Sequence, residues 1–353
     1  MHPNDQFAVY RISDPLVMIK YGNAIVIALL ITNTLSCSDD DSDTNVELPA
    51  WSVFNTSNSP LPDNQIQVVL VDGSDGKWFG TSNGLAHLSG SGWKVYDTLN
   101  SGLPSQFITS MAWDKRGFVW IGTSRGLAKY DGITLSFCEK LKQNFITALL
   151  VDNKTGMVWI GTDKGLCNYD GSVWMRYDDP GSLLLEDYVS SLAVDHNGVL
   201  KMGSFDHYAF VGRILSYDGS NWTSIRLNQR ELESCFPDAL IMDENNTMWL
   251  GVKGTMGGKL VRLDQPEWKI FDQNNIPIPD WRAGINSLAR YQNTLWIATG
   301  SGMYTYDGTS WTSYRTTNSG LSDDFVFSIA IDNEGSQWIG TINGVTVRRL
   351  HSR

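Results

Sequence analysis

The sequence predicts an all-β fold, a seven-bladed β-propeller of four-stranded blades over residues 51–353. A phrase of the form Trp-Ile-Gly-Thr-x-x-Gly-Leu-x-x-Tyr-Asp-Gly recurs along the chain, as at Trp120–Gly132. Its anchor positions lie 39–48 residues apart, which is the spacing of propeller blades. The anchors are six tryptophans and one lysine: Trp78, Trp120, Trp159, Lys201, Trp249, Trp296 and Trp338.

Each copy of the phrase predicts two strands and their turns. Trp-Ile-Gly-Thr and Leu-x-x-Tyr are short runs rich in aromatic and β-branched residues. The pair x-Gly between them, as in Arg125-Gly126, favours a tight hairpin because glycine adopts positive φ without strain. The aspartate of Tyr-Asp-Gly favours the next turn by bonding to its own backbone. A strand before the phrase and one after it complete a blade with strands a, b, c and d.

Both ends of the repeat region predict that the ring is closed. Trp51–Phe54 has the character of a strand d with no blade before it. Val345–Leu350 is a strand c with no strand d after it. Pairing these two segments would close the ring and remove both open sheet edges.

The first 50 residues favour export rather than a fold. We interpret residues 1–36 as an N-terminal extension plus a lipoprotein signal peptide that starts at Met18. Its apolar run, Ala24–Ile31, is too short to span a bilayer. Leu35-Ser36-Cys37 resembles a bacterial lipobox, which makes Cys37 the expected lipidation site; a cleavable signal with an incidental cysteine is the alternative.

Residues 37–50 are acidic and polar, as expected for a flexible tether. The sequence thus predicts an outer-membrane protein that meets the membrane only through a lipid at Cys37. We expect it to face the cell surface, with the periplasmic face as the alternative, and to be a monomeric propeller.

Composition and motifs exclude several functions. A net charge of −11 argues against nucleic-acid binding, which needs a basic footprint. The sequence has no phosphate loop, nucleophile elbow or paired metal-ligand spacing, so we predict no cofactor and no metal, and a non-enzymatic role is favoured. A propeller lyase or hydrolase with a site in the central channel stays open. Cys138, Cys167 and Cys235 are expected to be small buried hydrophobes.

The repeat resembles the two-component regulator propeller. The pattern Trp-Ile-Gly-Thr…Gly-Leu…Tyr-Asp-Gly…Trp carries the resemblance, together with Asn100–Pro104 and Asn318–Leu321 between blades. It is clear in blades one, two, three, six and seven, whereas blades four and five depart from it. The resemblance implies a relative of the extracytoplasmic sensors of hybrid histidine kinases, which often respond to glycans. No kinase segment follows the repeats, so we expect the fold and the ligand class to carry over rather than direct signalling.

The departures predict where a ligand binds. The b–c and d–a connections emerge on one face, and they are long at Gly203–Arg213, Val252–Lys259, Asn228–Asp238 and Asp272–Gly284. Loops on a rigid scaffold usually carry recognition. The candidate residues are Asp206, His207, Tyr208, Phe210, Arg213, Arg230, Glu233, Lys253, Trp281 and Arg282. Such a mixture suits a glycan, and it suits an envelope protein partner as well.

Lys201 replaces the anchor tryptophan of blade four. It is either a relaxed packing position or a charge near the site, and the sequence favours the first interpretation.

Overall fold

The structure is a computed structural model in which side chains are described for residues 50–177, 184, 187–206, 211–227, 232, 235–254, 257–263, 268–272 and 284–349. For residues 16–21, 24–29, 264 and 267 it describes the backbone. The chain divides into two units, 1–48 and 49–353. In the first unit, Leu16–Tyr21 and Ala24–Leu29 form an antiparallel pair, with Leu16 opposite Leu29.

The second unit contains seven antiparallel sheets of four strands, each in the order a-b-c-d. The strands of blades one to three are Ile66–Val71, Lys77–Thr81, Gly84–Ser89 and Gly92–Tyr96; Ile108–Trp113, Val119–Thr123, Gly126–Tyr130 and Leu135–Phe137; and Ile146–Asp152, Met157–Thr162, Gly165–Tyr169 and Trp174–Arg176. Those of blades four and five are Tyr188–Val194, Leu200–Asp206, Val211–Tyr217 and Trp222–Arg226; and Phe236–Met242, Met248–Gly254, Gly257–Asp264 and Glu267–Phe271. Those of blades six and seven are Ile285–Tyr291, Thr294–Thr299, Gly302–Tyr306 and Trp311–Tyr314; and Val326–Ile331, Gln337–Thr341, Gly344–Arg348 and, as strand d, Trp51–Phe54.

The blades form a closed ring. Each strand a contacts the strand a of the next blade, and the cycle ends where Val326–Ile331 meets Ile66–Val71. Trp51–Phe54 pairs antiparallel with Gly344–Arg348, so that Trp51 lies opposite Arg348. The predicted seven-bladed propeller and its closure are therefore confirmed. The one helix among the described residues is a 3-10 turn at Glu139–Leu141, and no described helix is long and apolar enough to cross a membrane.

The threonine of Trp-Ile-Gly-Thr caps the b–c hairpin. In blade two, Thr123 Oγ1 donates to Gly126 O at 2.8 Å and accepts from Arg125 N at 3.2 Å. Thr123 is paired with Gly126, so the two connecting residues are Ser124 and Arg125. The sequence placed x-Gly in the turn itself; glycine instead opens strand c, where its φ of 137° is one that other residues rarely adopt.

The anchor tryptophans are buried between blades, and their indole N–H groups differ in bonding. Trp78 Nε1 donates to Asp72 Oδ2 of its own a–b turn at 2.7 Å, and Trp338 does the same with Asp332 at 2.9 Å. In blade two, Arg116 occupies Asp114 Oδ2 at 2.7 Å, and Trp120 Nε1 is buried without a hydrogen-bond partner among the described residues.

This difference predicts unequal effects of two matched substitutions. Trp78→Phe and Trp120→Phe remove the same ring volume, but only the first removes a hydrogen bond to a carboxylate. Hydrogen bonds to charged groups contribute about 1.5–3 kcal/mol, so Trp78→Phe is expected to lower the free energy of unfolding by about 1–2 kcal/mol more than Trp120→Phe. Urea unfolding of both variants measures the difference. Equal losses would mean that the bond to Asp72 contributes nothing net.

Candidate functional site

The predicted ligand face lies at the ends of strands b and the starts of strands c and a. Of the predicted residues there, Asp206, Arg213 and Lys253 are described. His207, Tyr208, Phe210, Arg230, Glu233, Trp281 and Arg282 lie outside the described residues, as does Cys37.

Two of the predicted long connections are largely strand. In blade four the hairpin pairs out to Asp206 and Val211, and in blade five it pairs out to Gly254 and Gly257. The expected loops Gly203–Arg213 and Val252–Lys259 are therefore corrected to longer hairpins. The cause is register. Arg213 and Lys259 occupy the place of the turn glycine in the other blades, and a residue with a side chain continues the ladder there.

Arg213 forms a buried polar cluster with Asp187. Its Nη2 donates to both carboxylate oxygens of Asp187, at 2.7 and 2.6 Å, and lies 3.5 Å from Asp206 Oδ2. Ser204 Oγ donates to Asp187 Oδ2 at 3.0 Å. Burial raises the pKa of Asp187, and the Arg213 guanidinium opposes that shift. Both carboxylate oxygens of Asp187 accept hydrogen bonds, so Asp187 is not a free acid. The cluster instead fixes the end of the blade-four hairpin.

A ring of equivalent positions lies at the start of the seven inner strands. Every strand a has one register shift against strand b, and the residues skipped are Gln67, Thr109, Thr147, Ser190, Asp238, Asn286 and Phe327. In blades two, three, four and six this residue donates to a backbone carbonyl of the next blade. The bonds are Thr109 to Ile146 O at 2.6 Å, Asn286 to Val326 O at 2.7 Å, Thr147 to Val189 O and Ser190 to Pro237 O.

Three positions of this ring do not make that bond. Gln67 of blade one donates to Ser82 Oγ at 3.0 Å, Phe327 of blade seven has no polar side chain, and Asp238 of blade five carries an acid. The carbonyl that its place would bond is Ile285 O, but an ionised carboxylate has no proton to donate. Its side chain has no hydrogen-bond or ion-pair partner within the described part of the chain. Burial raises the pKa of Asp238 from 3.8 to about 6, and the nearby Lys253 ammonium opposes the shift. Blade five thus carries a strained acid where its neighbours carry a satisfied donor.

Three groups surround Asp238 on the predicted face. Burial raises the pKa of the half-buried Tyr188, and the charges of Asp238 and Asp163 add to that rise, which puts both acids near its phenol. Asp163 Oδ1 is itself buried without a described hydrogen-bond partner. The alkyl part of Lys253 lies along Gly284, where an added Cβ would come 3.0 Å from Lys253 Cβ.

An aromatic wall adjoins these groups. Phe236 begins strand a of blade five and packs on Phe205 of blade four, with ring centroids 4.1 Å apart. We call the set Asp163, Tyr188, Phe236, Asp238 and Lys253 the channel-mouth site. It combines aromatic faces, two acids without described partners and one exposed ammonium. No group of three or more metal-ligating side chains occurs within the described ranges.

Lys201 lies on the opposite face. Its ammonium is 3.6 Å from Asp195 Oδ2 of the a–b turn and 3.3 Å from Ser216 Oγ. It therefore takes the place of the indole N–H that bonds this turn aspartate in blades one, five and seven. Lys201 is therefore not a charge at the predicted ligand face, and it is ion-paired rather than a relaxed packing position.

Sequence reasoning found Lys253 but missed Asp163, Tyr188, Asp187 and Asp238. The signal was present for Asp238, because aligning the seven inner strands places it as the one acid among hydroxyls, amides and a phenylalanine. Asp163, Tyr188 and Asp187 could be found only from the register between neighbouring blades.

The fold and the repeat define a seven-bladed β-propeller. The family model described as two component regulator propeller matches residues 102–125, which confirms the resemblance predicted from the repeat. No curated protein matches the chain.

Solved structures share the fold at low identity. The extracellular domain of a putative hybrid two component system from B. thetaiotaomicron has a TM-score of 0.71 and 20% identity, covering 98% of this chain and 51% of that one. Virginiamycin B lyase from Staphylococcus aureus has a TM-score of 0.67 and 14% identity, covering 85% of this chain and 99% of that one. PorZ, a surface component of the type-IX secretion system of Porphyromonas gingivalis, has a TM-score of 0.64 and 13% identity, covering 95% and 50%.

The chain spans about half or less of the length of the two-component structures it resembles. At these identities the likeness establishes the fold alone.

Proposed function

We propose that this propeller binds an extracellular glycan at the channel-mouth site, in a sensing or capture role. In this proposal it is a lipoprotein held at the outer membrane through Cys37 and exposed at the cell surface. The lipobox-like sequence and the acidic run after it support the anchor. The extracellular two-component domains of the same fold support the sensing role by analogy.

Asp238 carries the proposal. The same place holds a threonine, a serine or an asparagine in four blades, and each of these joins its blade to the next. A carboxylate there gives up that bond and raises the free energy of the folded state. Residues that lower stability where the fold offers a better choice are typical of functional sites.

The chemistry around Asp238 suits a sugar. A pyranose presents C–H faces and hydroxyl groups together. Tyr188 and Phe236 supply aromatic surface, the Asp238 carboxylate accepts hydrogen bonds from hydroxyls, and the Lys253 ammonium donates to them. Because the Asp238 and Lys253 side chains have no partner among the described residues, a ligand hydroxyl would satisfy both without breaking an existing bond.

A thermal-shift screen of the full chain against soluble glycans tests the proposal. A ligand present at 100 times its Kd adds about 2.7 kcal/mol to the free energy of unfolding. That corresponds to a rise in Tm of about 5 °C for a chain of this size. The expected result is such a rise with at least one glycan, lost in Asp238→Ala and in Lys253→Met.

Lys115→Met is the matched control, since Lys115 lies in an a–b turn on the opposite face. It should leave the shift intact. A glycan that stabilises the Asp238→Ala and Lys253→Met variants as much as the unchanged protein would place its site elsewhere. No shift with any glycan would reject the ligand class.

A further inference from the structure

The seam between blades two and three lacks a ring that other seams contain. In five blades the last residue of strand d, or the residue directly after it, is aromatic and packs between the anchor tryptophan of its own blade and the rings of the next. These residues are Tyr96, Tyr177, Phe271, Tyr314 and Phe54, at 5.9–6.2 Å from their anchor tryptophans. Cys138 occupies this place in blade two, because its N–H bonds Leu127 O just as Tyr177 N bonds Leu166 O.

The other three rings of this seam are in place. Trp120 lies 5.8 Å from Tyr169, and Tyr169 stacks on Trp174 at 4.6 Å. The missing ring leaves a cavity of about 210 Å³, which we call the seam groove; it is lined by Trp120, Lys129, Cys138, Glu139, Lys140, Tyr169 and Trp174. An apolar cavity of about 150 Å³ is enough for a benzene ring, so the seam groove has room for a single aromatic ring.

The charge at the seam groove is positive. Lys129 is half-buried, and its ammonium lies 3.4 Å from the ring centroid of Phe118 and 5.4 Å from that of Trp120. It has no ion pair with any described acid. Glu139 is paired with Lys142 at 3.7 Å, and Lys140 is exposed at the groove. Burial raises the pKa of the Cys138 thiol to about 11, so that residue stays neutral. An occupant with a carboxylate beside its ring would therefore be favoured.

Blades two and three carry several exposed apolar side chains. Six large hydrophobic side chains are exposed within the described ranges, and three of them belong to blades two and three: Ile133 at 84%, Val173 at 58% and Met175 at 51%. Val173 directly precedes Trp174, which lines the seam groove, whereas Met175 pairs with Asn168 and lies on the other face of the sheet from Trp174.

We propose that the seam groove docks a partner protein through one aromatic side chain that enters the vacant place, with a neighbouring acidic residue bonded to Lys129. The aromatic residues that fill the other seams indicate that the occupant is an aromatic ring. The Lys129 ammonium indicates that an acidic residue lies next to that ring in the partner. This surface is separate from the channel-mouth site, so it adds a protein partner to a ligand-binding propeller.

Short peptides test the docking surface on the full chain at low salt. Acetyl-aspartyl-tyrosine amide should bind in ligand-observed NMR. Acetyl-asparaginyl-tyrosine amide should bind about 3–5-fold more weakly, which is the effect of one partly exposed ion pair. Acetyl-aspartyl-alanine amide should not bind. Equal binding of all three peptides would overturn the proposal, and tighter binding of 4-hydroxyphenylacetate than of the first peptide would make a free aromatic acid the ligand instead.

Two variants locate the binding. Cys138→Tyr supplies the missing ring from within, so it should abolish peptide binding and raise the Tm by about 2–4 °C. Lys129→Met should remove the preference for the aspartyl peptide, whereas Lys164→Met, the same charge change in the b–c turn of blade three, should keep it. Peptide binding that survives Cys138→Tyr would show that the seam groove is not the site. If the tyrosine did not fit, the Tm would fall. Lys129→Met and Lys164→Met would then decide whether the peptide binds at the seam groove.

Discussion

Arg213→Met is expected to lower the free energy of unfolding by about 3–5 kcal/mol, as removing one partner of a buried ion pair does. Asp187 is 3% exposed and receives its charge-assisted bonds from Arg213 and Ser204. Without the guanidinium, an acid whose pKa is already raised by burial loses the one cation within 4 Å of it among the described residues. Urea unfolding at pH 7 measures the loss.

The double variant Asp187→Asn/Arg213→Met is the control. Blades one, two and three carry the neutral amides Asn64, Gln106 and Asn144 at the place of Asp187. An asparagine there removes the uncompensated charge, so the double variant should be more stable than Arg213→Met alone. If the two variants were equally unstable, packing of the Arg213 side chain rather than its charge would explain the loss.

Asp238→Asn is expected to act in the opposite direction and to stabilise the protein at pH 7 by about 2–3 kcal/mol. The pKa of Asp238 is about 6 in the folded chain against 3.8 ordinarily, and each unit of difference corresponds to about 1.4 kcal/mol. Asparagine removes the buried charge. Its amide can also donate to Ile285 O, as Asn286 donates to Val326 O one blade further.

The dependence on pH has a defined sign. Between about pH 4 and 6 the folded chain holds a proton on Asp238 that the unfolded chain has lost. The contribution of Asp238 to stability therefore falls as pH rises through this window and is lowest above it. Asp238→Asn should remove this component, so the gain measured at pH 7 should nearly vanish at pH 4. A gain of the same size at both pH values would contradict a titrating acid at this position.

The fold could be predicted from the sequence, whereas the side chains of the candidate site could not. Ring size, strand order and closure follow from a local phrase, because each tryptophan, threonine and glycine of the phrase acts within its own hairpin. The candidate face was also accessible, since strand order alone decides which connections share a face. The side chains of the channel-mouth site could not be predicted in this way. Tyr188, Asp163 and Asp238 come from three blades, and the register between those blades brings them together.

The error at blades four and five has the same origin. The sequence predicts Arg213 and Lys259 in loops because the glycine that begins strand c in the other blades is missing there. A missing turn signal fits a long loop and a longer hairpin equally well in the sequence. Hydrogen-bond pairing decides between them, and pairing is a property of two strands rather than of one segment.

The pairing of Trp51–Phe54 with Gly344–Arg348 also sets an order of events during synthesis. The first of these strands leaves the ribosome nearly 300 residues before its partner. Contacts between residues so distant in the chain form late and slowly. Until then the growing arc has open sheet edges, which are templates for misassociation. Docking of the last strand closes the ring and removes both of these edges.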